Sequence, residues 1–259
     1  MTYQLHVIPA KKRRIMNADT TVKTPYGLQV IESCLTCPLV KDRIFCDLSR
    51  PALAALDAIS SSATYPKDAV LFVEGQEPRG VFVICNGRVK LSTNSAGGQS
   101  LIVRIAEPGE IVGLPGTLSG TSYELTAEAL EPVQANFIPR IAFMQYLKDN
   151  GEAALRVAEI LSKIYHATLL EVRYLGFSSS TAEKLARFLL DLPPGSAANS
   201  TQVRKTLTLT HKEIGEMIGA SRETVTRLFA SFKREGLIEV HGSALIISNP
   251  SQLASMLEG

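Results

Sequence analysis

Residues 213–240 read EIGEMIGASRETVTRLFASFKREGLIEV, and they carry the most specific pattern in this chain of 259 residues. Apolar residues recur every three or four positions on both sides of Gly219, which is the spacing of amphipathic helices. This spacing predicts one helix over residues 211–218 and a second over residues 222–235. Two short helices joined by a turn that contains glycine form a helix-turn-helix.

Helix caps and a hairpin extend this motif on both sides. Thr210 and Glu213 have the spacing of a capping box, in which each side chain bonds the backbone N–H group of the other residue. Ser221 precedes the second helix and can cap its first amides. Beyond Gly236, two apolar runs flank residues 241–243, which predicts a hairpin. A helix-turn-helix followed by a hairpin is a winged helix.

Positive charge is concentrated on the second helix. The whole chain carries a net charge of +2, which creates no general attraction for nucleic acid. Residues 221–234 contain four cationic residues and one anionic residue, a net charge of +3. Such a local basic face is typical of surfaces that bind nucleic-acid phosphates.

The stretch over residues 213–240 resembles the DNA-reading module of the CRP/FNR transcriptional regulators. The resemblance implies that the second helix enters the major groove with its first turns. The matching positions are Ser221, Arg222, Glu223, Thr226 and Arg227. Arg donates to guanine and Glu accepts from cytosine, so palindromic DNA with half-sites similar to TGTGA or TTGA is implied. Thr210, Ser221 and Lys233 are candidates for phosphate contacts, and RNA polymerase is an implied partner.

The resemblance covers most of the chain and sets its expected organisation. Residues 51–140 hold short apolar runs between turns rich in glycine, which is typical of a β-roll. No proline interrupts residues 141–176, which predicts one long helix. We therefore expect an α+β chain: a leader over residues 1–50, a β-roll similar to cyclic-nucleotide-binding jelly rolls, a dimerisation helix, and a winged helix-turn-helix domain over residues 177–259.

The long helix carries an apolar stripe that predicts a homodimer. From Ala154 onward, apolar or small residues recur at steps of three or four, as they do along a coiled-coil seam. A helix of this kind can pair with its twin about a two-fold axis. The predicted interface residues are Val157, Leu161, Ile164, Thr168 and Val172. The same stripe is also compatible with a helix that packs on its own domain.

Three of the four cysteines cluster in the leader, ahead of the roll. Cys34 and Cys37 have the C-x2-C spacing that lets two thiolates reach one metal centre, and Cys46 follows. The trio resembles the amino-terminal cysteines of the oxygen-sensing FNR regulators. The resemblance implies an iron–sulfur cluster of the [4Fe–4S] type and redox control of DNA binding. A zinc site, a thiol/disulfide switch and unligated cysteines remain open.

The sequence leaves the fourth cluster ligand open. The family's fourth cysteine lies near the end of the roll, where residues 133–139 contain none, and the spacing to the third cysteine is longer here than in the family. Cys85 is the remaining thiol, and it is either a small core residue of a strand or the fourth ligand. The other candidate ligands are Asp42, Asp47 and His6.

The roll lacks the residues that hold a cyclic nucleotide in the CRP branch of the family. Leu114 stands where the ribose-binding Glu would be, and Glu124 and Leu125 stand near the Arg-Ser pair that would hold the phosphate. A carboxylate in place of that Arg would repel the phosphate. We therefore expect that cyclic AMP does not bind, while another small effector in the roll remains an alternative signal.

Composition excludes several other classes of protein. No apolar run approaches the roughly 18 residues of a membrane helix, and no apolar segment follows the basic cluster at residues 11–14. We therefore expect a cytoplasmic protein with no membrane partner. Four cysteines are too few for a secreted disulfide scaffold. Cys34 and Cys37 follow no strand pattern as they would in a thiol oxidoreductase, and the histidines are scattered, so we expect no enzyme.

Overall fold

The computed structural model describes residues 26–28, 30–37, 45–177, 180–192 and 203–257, and for residues 170–177 and 203 the backbone. The chain divides into two compact units. The first holds residues up to Thr93 and from Val103 to His166, and the second holds residues 94–102 and the chain from Ala167 onward. Within the described ranges, no helix is both long enough and apolar enough to cross a bilayer. The basic cluster at residues 11–14, His6 and Asp42 lie outside the described residues.

Most of a β-roll lies in the first unit, and the predicted α+β fold is confirmed. A 3-10 turn over Cys34–Thr36 and helix α1 over Arg50–Ile59 precede the roll. The strands are β1 Ser61–Tyr65, β2 Val70–Phe72, β3 Gly80–Asn86, β4 Val89–Asn94, β5 Ser100–Ala106, β6 Ile111–Val112, β7 Thr126–Ala129 and β8 Val133–Pro139, with helix α2, Leu114–Ser119, before β7. They form two four-stranded sheets in the orders β1-β8-β3-β6 and β2-β7-β4-β5.

Strand β3 is buried along most of its length because both of its faces are covered. Phe82 and Ile84 belong to the core between the two sheets. Val81 and Val83 point to the other face, where they join a second core with residues of the leader and of α1. The alternation of side chains along a strand thus assigns one face of this sheet to the roll interior and the other, the outer face, to the leader.

Two helices follow the roll where the sequence predicts one. Helix α3 spans Arg140–Asp149 and helix α4 spans Gly151–Phe177. The break falls at Asn150, whose backbone N–H and side-chain amide both donate to the carbonyl oxygen of Tyr146. Asn competes for backbone hydrogen bonds and Gly is a poor helix former, so the Asn-Gly pair ends the first helix.

The second unit is the predicted winged helix-turn-helix. Its elements are α5 Thr181–Asp191, β9 Val203–Thr206, α6 His211–Ile218, α7 Arg222–Arg234, β10 Ile238–His241, β11 Ala244–Ile247 and α8 Pro250–Ser255. The predicted helices and hairpin are confirmed within one residue at each end. Strand β9 pairs with β11 and makes the sheet three-stranded, in the order β10-β11-β9, which the sequence did not predict.

Candidate functional site

Helix α7 buries one face and exposes the other. Val225, Phe229 and Phe232 are buried in the core of the second unit, which fixes the rotation of the helix about its axis. The four predicted base-reading side chains of this helix are all exposed on its first two turns. They are Arg222, Glu223, Thr226 and Arg227. The structure therefore brings together on one surface the residues that the sequence assigned to DNA.

Gly215 and Gly219 allow α6 to pack closely against the turn before α7. Gly219 ends α6 with a φ of 69°, a left-handed conformation that favours glycine. A Cβ atom at Gly215 would lie 2.6 Å from the carbonyl oxygen of Ala220. Only glycine at this position allows the backbone of the turn to pack directly on α6, so the angle between the two helices follows from local sequence.

The predicted phosphate-contact residues lie at helix ends. Thr210 Oγ1 accepts the N–H of Glu213 at 3.2 Å, and the capping box is complete. Ser221 Oγ accepts the N–H of Thr224 at 3.2 Å. Both hydroxyl side chains are exposed at helix N-termini, where the backbone N–H groups favour anions. Lys233 is exposed in the last turn of α7.

His211 joins α6 to α7 and was not among the predicted site residues. Its ring stacks on Phe229 with 4.7 Å between centroids, and Nδ1 lies 3.0 Å from Thr226 Oγ1. The Thr226 hydroxyl donates to the Arg222 carbonyl, so Nδ1 is the donor to Thr226 in the neutral ring. Burial lowers the pKa of His211, and the charges of Lys233 and Arg222 lower it further. A contact across 15 residues has no local sequence signal.

Two charged side chains at the start of α7, Glu223 and Arg227, are in the state that the predicted base contacts need. Hydrogen bonds from its own backbone N–H and from Ser221 lower the pKa of Glu223, so the carboxylate is ionised and can accept. Arg227 Nη2 donates to Thr224 Oγ1 at 3.3 Å, which is a long hydrogen bond. Little is therefore lost when this guanidinium group turns toward a base edge.

The leader is attached to the outer face of the roll by two side chains. Asp57 on α1 accepts the Cys34 N–H and the Ser33 hydroxyl, both at 2.8 Å. Gln134 on β8 accepts the Ile31 N–H at 2.8 Å and donates to the Ile31 carbonyl at 2.7 Å. These bonds hold the C-x2-C turn against the sheet.

Three of the four thiols are buried near one another. Cys34, Cys46 and Cys85 are buried, and Cys37 is half-buried at the end of the 3-10 turn. Burial, together with the nearness of Cys85, Asp57 and Cys46, raises the pKa of the Cys34 thiol to about 12. The structure therefore places two of the other predicted cluster ligands, Cys46 and Cys85, near Cys34, and the fourth, Cys37, lies three residues along the chain.

Cys85 reaches this group from a bulge in β3. The pairing of β3 with β8 shifts its register between Ile84 and Asn86, which leaves Cys85 as the extra residue. Bulges of this kind redirect side chains and are common beside functional sites. Cys85 is one of the groups that raise the pKa of the Cys34 thiol, and its own Sγ donates to the Val83 carbonyl at 3.7 Å.

Cysteine thiols are the donor type of the predicted iron–sulfur cluster. Among the residues that the structure describes, no three His, Cys, Asp or Glu side chains surround a site for a single ion. Asp47, a candidate ligand, is paired with Arg156 at 3.6 Å instead. A [4Fe–4S] cluster takes four cysteines and bonds each to a different iron, so its thiolates lie farther apart than the ligands of one ion. Cys34, Cys46 and Cys85, which are buried near one another, and Cys37 at the end of the same 3-10 turn are donors of the type that this group takes.

Side chains fill the roll at the positions that the resemblance assigns to a nucleotide. Leu114 is buried and Glu124 is exposed. Tyr123 stacks on Phe72 with 4.1 Å between ring centroids, and its hydroxyl donates to the Gly80 carbonyl at 2.6 Å. The absence of cyclic-AMP binding stays a prediction.

Helix α4 turns the predicted dimer stripe toward its own roll. Val157 is 4% exposed and belongs to the core on the outer face, so its side chain packs within its own unit, and its place at a dimer interface stays a prediction. Leu161 packs against the same core, and Ile164 lines a shallow cleft against the roll, so both face the same way as Val157. Thr168 is exposed, and the side chain of Val172 lies outside the described residues.

A neighbouring stripe of α4 is exposed. Leu155, Tyr165 and Leu169 are 64%, 66% and 42% exposed, which is unusual for large apolar side chains. With the exposed residues Ala158 and Ser162 between them, they recur at steps of three and four. The heptad pattern is thus present, but shifted by one residue from the predicted stripe.

Comparisons with known proteins agree with both units. A family model described as "Crp-like helix-turn-helix domain" matches residues 183–256, and one described as "Cyclic nucleotide-binding domain" matches residues 63–150. The chain is 26% identical over 217 residues to the CRP-like cAMP-activated global transcriptional regulator of Mycobacterium tuberculosis, covering 83% of this chain and 96% of that protein.

A second curated relative and a solved structure are also similar to this chain. The chain is 28% identical over 234 residues to the transcriptional activator protein Anr of Pseudomonas protegens, covering 87% of this chain and 93% of that protein. The structure of FixK2 from Bradyrhizobium japonicum superposes with a TM-score of 0.62 at 22% identity, covering 76% of this chain and 96% of the other. At that identity, the second likeness supports the fold alone.

Proposed function

This chain belongs to the CRP/FNR family of DNA-binding transcriptional regulators, and from that premise we propose that it binds palindromic sites as a homodimer under the control of an iron–sulfur cluster. One observation carries the proposal: the same chain holds an exposed, capped recognition helix and a group of buried thiols on the outer face of its roll. The relatives named above are regulators, and we expect no catalytic activity.

DNA reading is assigned to the first turns of α7. Arg227 donates to guanine and Glu223 accepts from cytosine in the major groove, with Arg222 and Thr226 beside them. These contacts define half-sites similar to TGTGA or TTGA. Thr210, Ser221 and Lys233 hold the backbone phosphates and position the helix without specifying sequence.

Dimerisation is assigned to the exposed stripe of α4. Leu155, Tyr165 and Leu169 are the large apolar residues of that stripe, and pairing with a second copy would bury them. A two-fold dimer repeats the recognition helix, so a palindromic operator with two half-sites follows. This assignment puts Leu155 in the proposed interface in place of Val157.

The cluster is assigned to Cys34, Cys37, Cys46 and Cys85. When bound, it supplies a redox-sensitive link between leader and roll that oxygen can break. The Cys34 backbone N–H donates to Asp57 and holds the C-x2-C turn, and Cys46 packs in the core on the outer face of the roll.

Contacts next to Cys46 offer a path from the leader to α4. The Ser49 N–H donates to Glu152 Oε1 at 2.8 Å, and Arg156 donates to the Asp47 carbonyl at 3.2 Å. Glu152 and Arg156 lie in the first turns of α4, on either side of Leu155. An ordered leader therefore holds the start of the dimerisation helix, and loss of ligation releases it and shifts the dimer equilibrium.

The test combines metal analysis with DNA binding. We expect protein purified under argon to hold about four iron and four sulfide per chain, to bind a palindromic library in a gel shift, and to lose both properties in air. Replacing Cys34 or Cys37 with Ser should abolish the response. Colourless, iron-free protein with full operator affinity would contradict the cluster but not the DNA-binding role.

The same experiment separates the alternative signals. One zinc per chain would identify a zinc site, and loss of affinity reversed by dithiothreitol without iron would identify a thiol switch. Affinity that depends on neither metal nor thiol state would favour a small effector. As a regulator of transcription, the protein would act in the cytoplasm on promoters, with RNA polymerase as its partner there.

A further inference from the structure

Asn136 touches the thiol of Cys34 from the roll. This side chain lies on β8, is 7% exposed, and its Nδ2 donates to Cys34 Sγ at 3.5 Å. Its partner across the sheet is Val83, two residues before Cys85. Asn136 therefore stands among the thiols assigned above, at the part of the roll where the family carries its fourth cysteine.

The side-chain oxygen of Asn136, Oδ1, is a buried acceptor that receives no hydrogen bond within the described residues. Gln134, two residues earlier on the same face, uses its amide fully, with bonds to both backbone groups of Ile31 and to Ser62. A buried unpaired acceptor destabilises a fold, and an apolar side chain of similar size would remove that cost. Folding alone gives no reason for an amide at position 136.

The sulfur contact gives a reason that depends on ligation. A thiolate bonded to iron carries more negative charge than a thiol, so it is the better acceptor for an N–H donor. Reduction adds further charge to the sulfurs, and hydrogen bonds to them raise the reduction potential of a cluster. The backbone of Cys34 is held separately by Asp57, so Asn136 acts on the sulfur and not on the turn.

We propose that Asn136 is a positioning residue whose Nδ2 donates to the iron-bound sulfur of Cys34, raises the reduction potential of the cluster and slows its loss in air. The proposal rests on the iron–sulfur cluster of the proposed function. It concerns the sensitivity of the sensor and makes no claim about DNA reading.

Asn136→Leu in the full chain tests it, because leucine has a similar size and removes both the donor and the unpaired acceptor. The control is Thr117→Val, which removes a buried hydrogen bond to the Gly80 carbonyl of the same roll. After anaerobic reconstitution, visible spectra in air and redox titrations are compared. We expect Asn136→Leu to lose its cluster about tenfold faster than the wild type and to titrate at a lower potential. Thr117→Val should match the wild type in both measurements.

The outcomes separate this inference from the cluster itself. Wild-type protein that takes up neither iron nor sulfide overturns the proposed cluster and this inference with it. Wild-type protein that loads normally, with Asn136→Leu unchanged in potential and decay, overturns the role of Asn136 alone. Should the leucine variant fail to fold, Asn136→Ser, which also removes Nδ2, decides by the same two measurements.

Discussion

The register of the dimer helix can be tested by two neighbouring substitutions, Leu155→Ala and Val157→Ala. Full burial of a leucine side chain contributes about 1.5–3 kcal/mol. Leu155 is 64% exposed in the single chain, so pairing adds about two thirds of that value, about 1–2 kcal/mol in each protomer. Leu155→Ala should therefore cost the dimer about 2–4 kcal/mol and raise its dissociation constant about 30- to 700-fold.

Val157→Ala should act on folding instead of association. Val157 is 4% exposed within its own unit, so removing its two methyl groups lowers the free energy of unfolding by about 2–3 kcal/mol. Its dimer dissociation constant should stay close to that of the wild type. Sedimentation velocity over a concentration series measures association, and urea titration measures stability. Dissociation by Val157→Ala with an unaffected Leu155→Ala dimer would refute the register, and a monomeric wild type would refute the dimer.

Three further predictions address the two sites. Arg227→Ala should lose about 1–3 kcal/mol of DNA-binding free energy per half-site, at one base pair, whereas Lys233→Ala should weaken binding to all sequences alike. Competition gel shifts distinguish the two variants. Uniform weakening of binding by Arg227→Ala would make Arg227 a phosphate contact. Because the folded pKa of His211 is lowered, the native state binds fewer protons than the unfolded chain below pH 6.5, and stability should fall as pH drops through that value and level off below the folded pKa. When the free energy of unfolding from urea titrations is plotted against pH, from about pH 8 to about pH 5, its slope should be shallower for His211→Gln than for the wild type. An unchanged slope would contradict the burial of His211. In iron-free protein, iodoacetamide should modify half-buried Cys37 before Cys34, because a pKa of about 12 keeps the Cys34 thiol protonated. Peptide mass spectrometry gives the order of modification, and the reverse order would contradict the packing.

The DNA-binding unit was largely predictable because its signals are local. The capping box joins Thr210 to Glu213 and the second cap joins Ser221 to Thr224, each across three residues. A pattern that spans only three residues can be recognised in a single sequence. Strand β9 escaped prediction because its short polar sequence becomes a strand only by pairing with β11, about 40 residues away.

The leader shows the opposite case. Cys34 meets Asp57 across 23 residues and Asn136 across 102 residues, so no spacing rule connects them. The sequence left Cys85 as either a core residue or a ligand. The structure places Cys85 at a register shift in β3. That shift depends on pairing with β8 and cannot be found from the strand alone.

The sequence by itself determined the fold class, the winged helix with its capped recognition helix, and the presence of a heptad pattern in α4. These features depend on periodicity and on chemistry within a few residues. Only the tertiary structure decided which stripe of α4 faces the roll, because two stripes one residue apart have nearly the same spacing. The roll buries Val157 and leaves Leu155 exposed, and that choice depends on which surface the helix packs against.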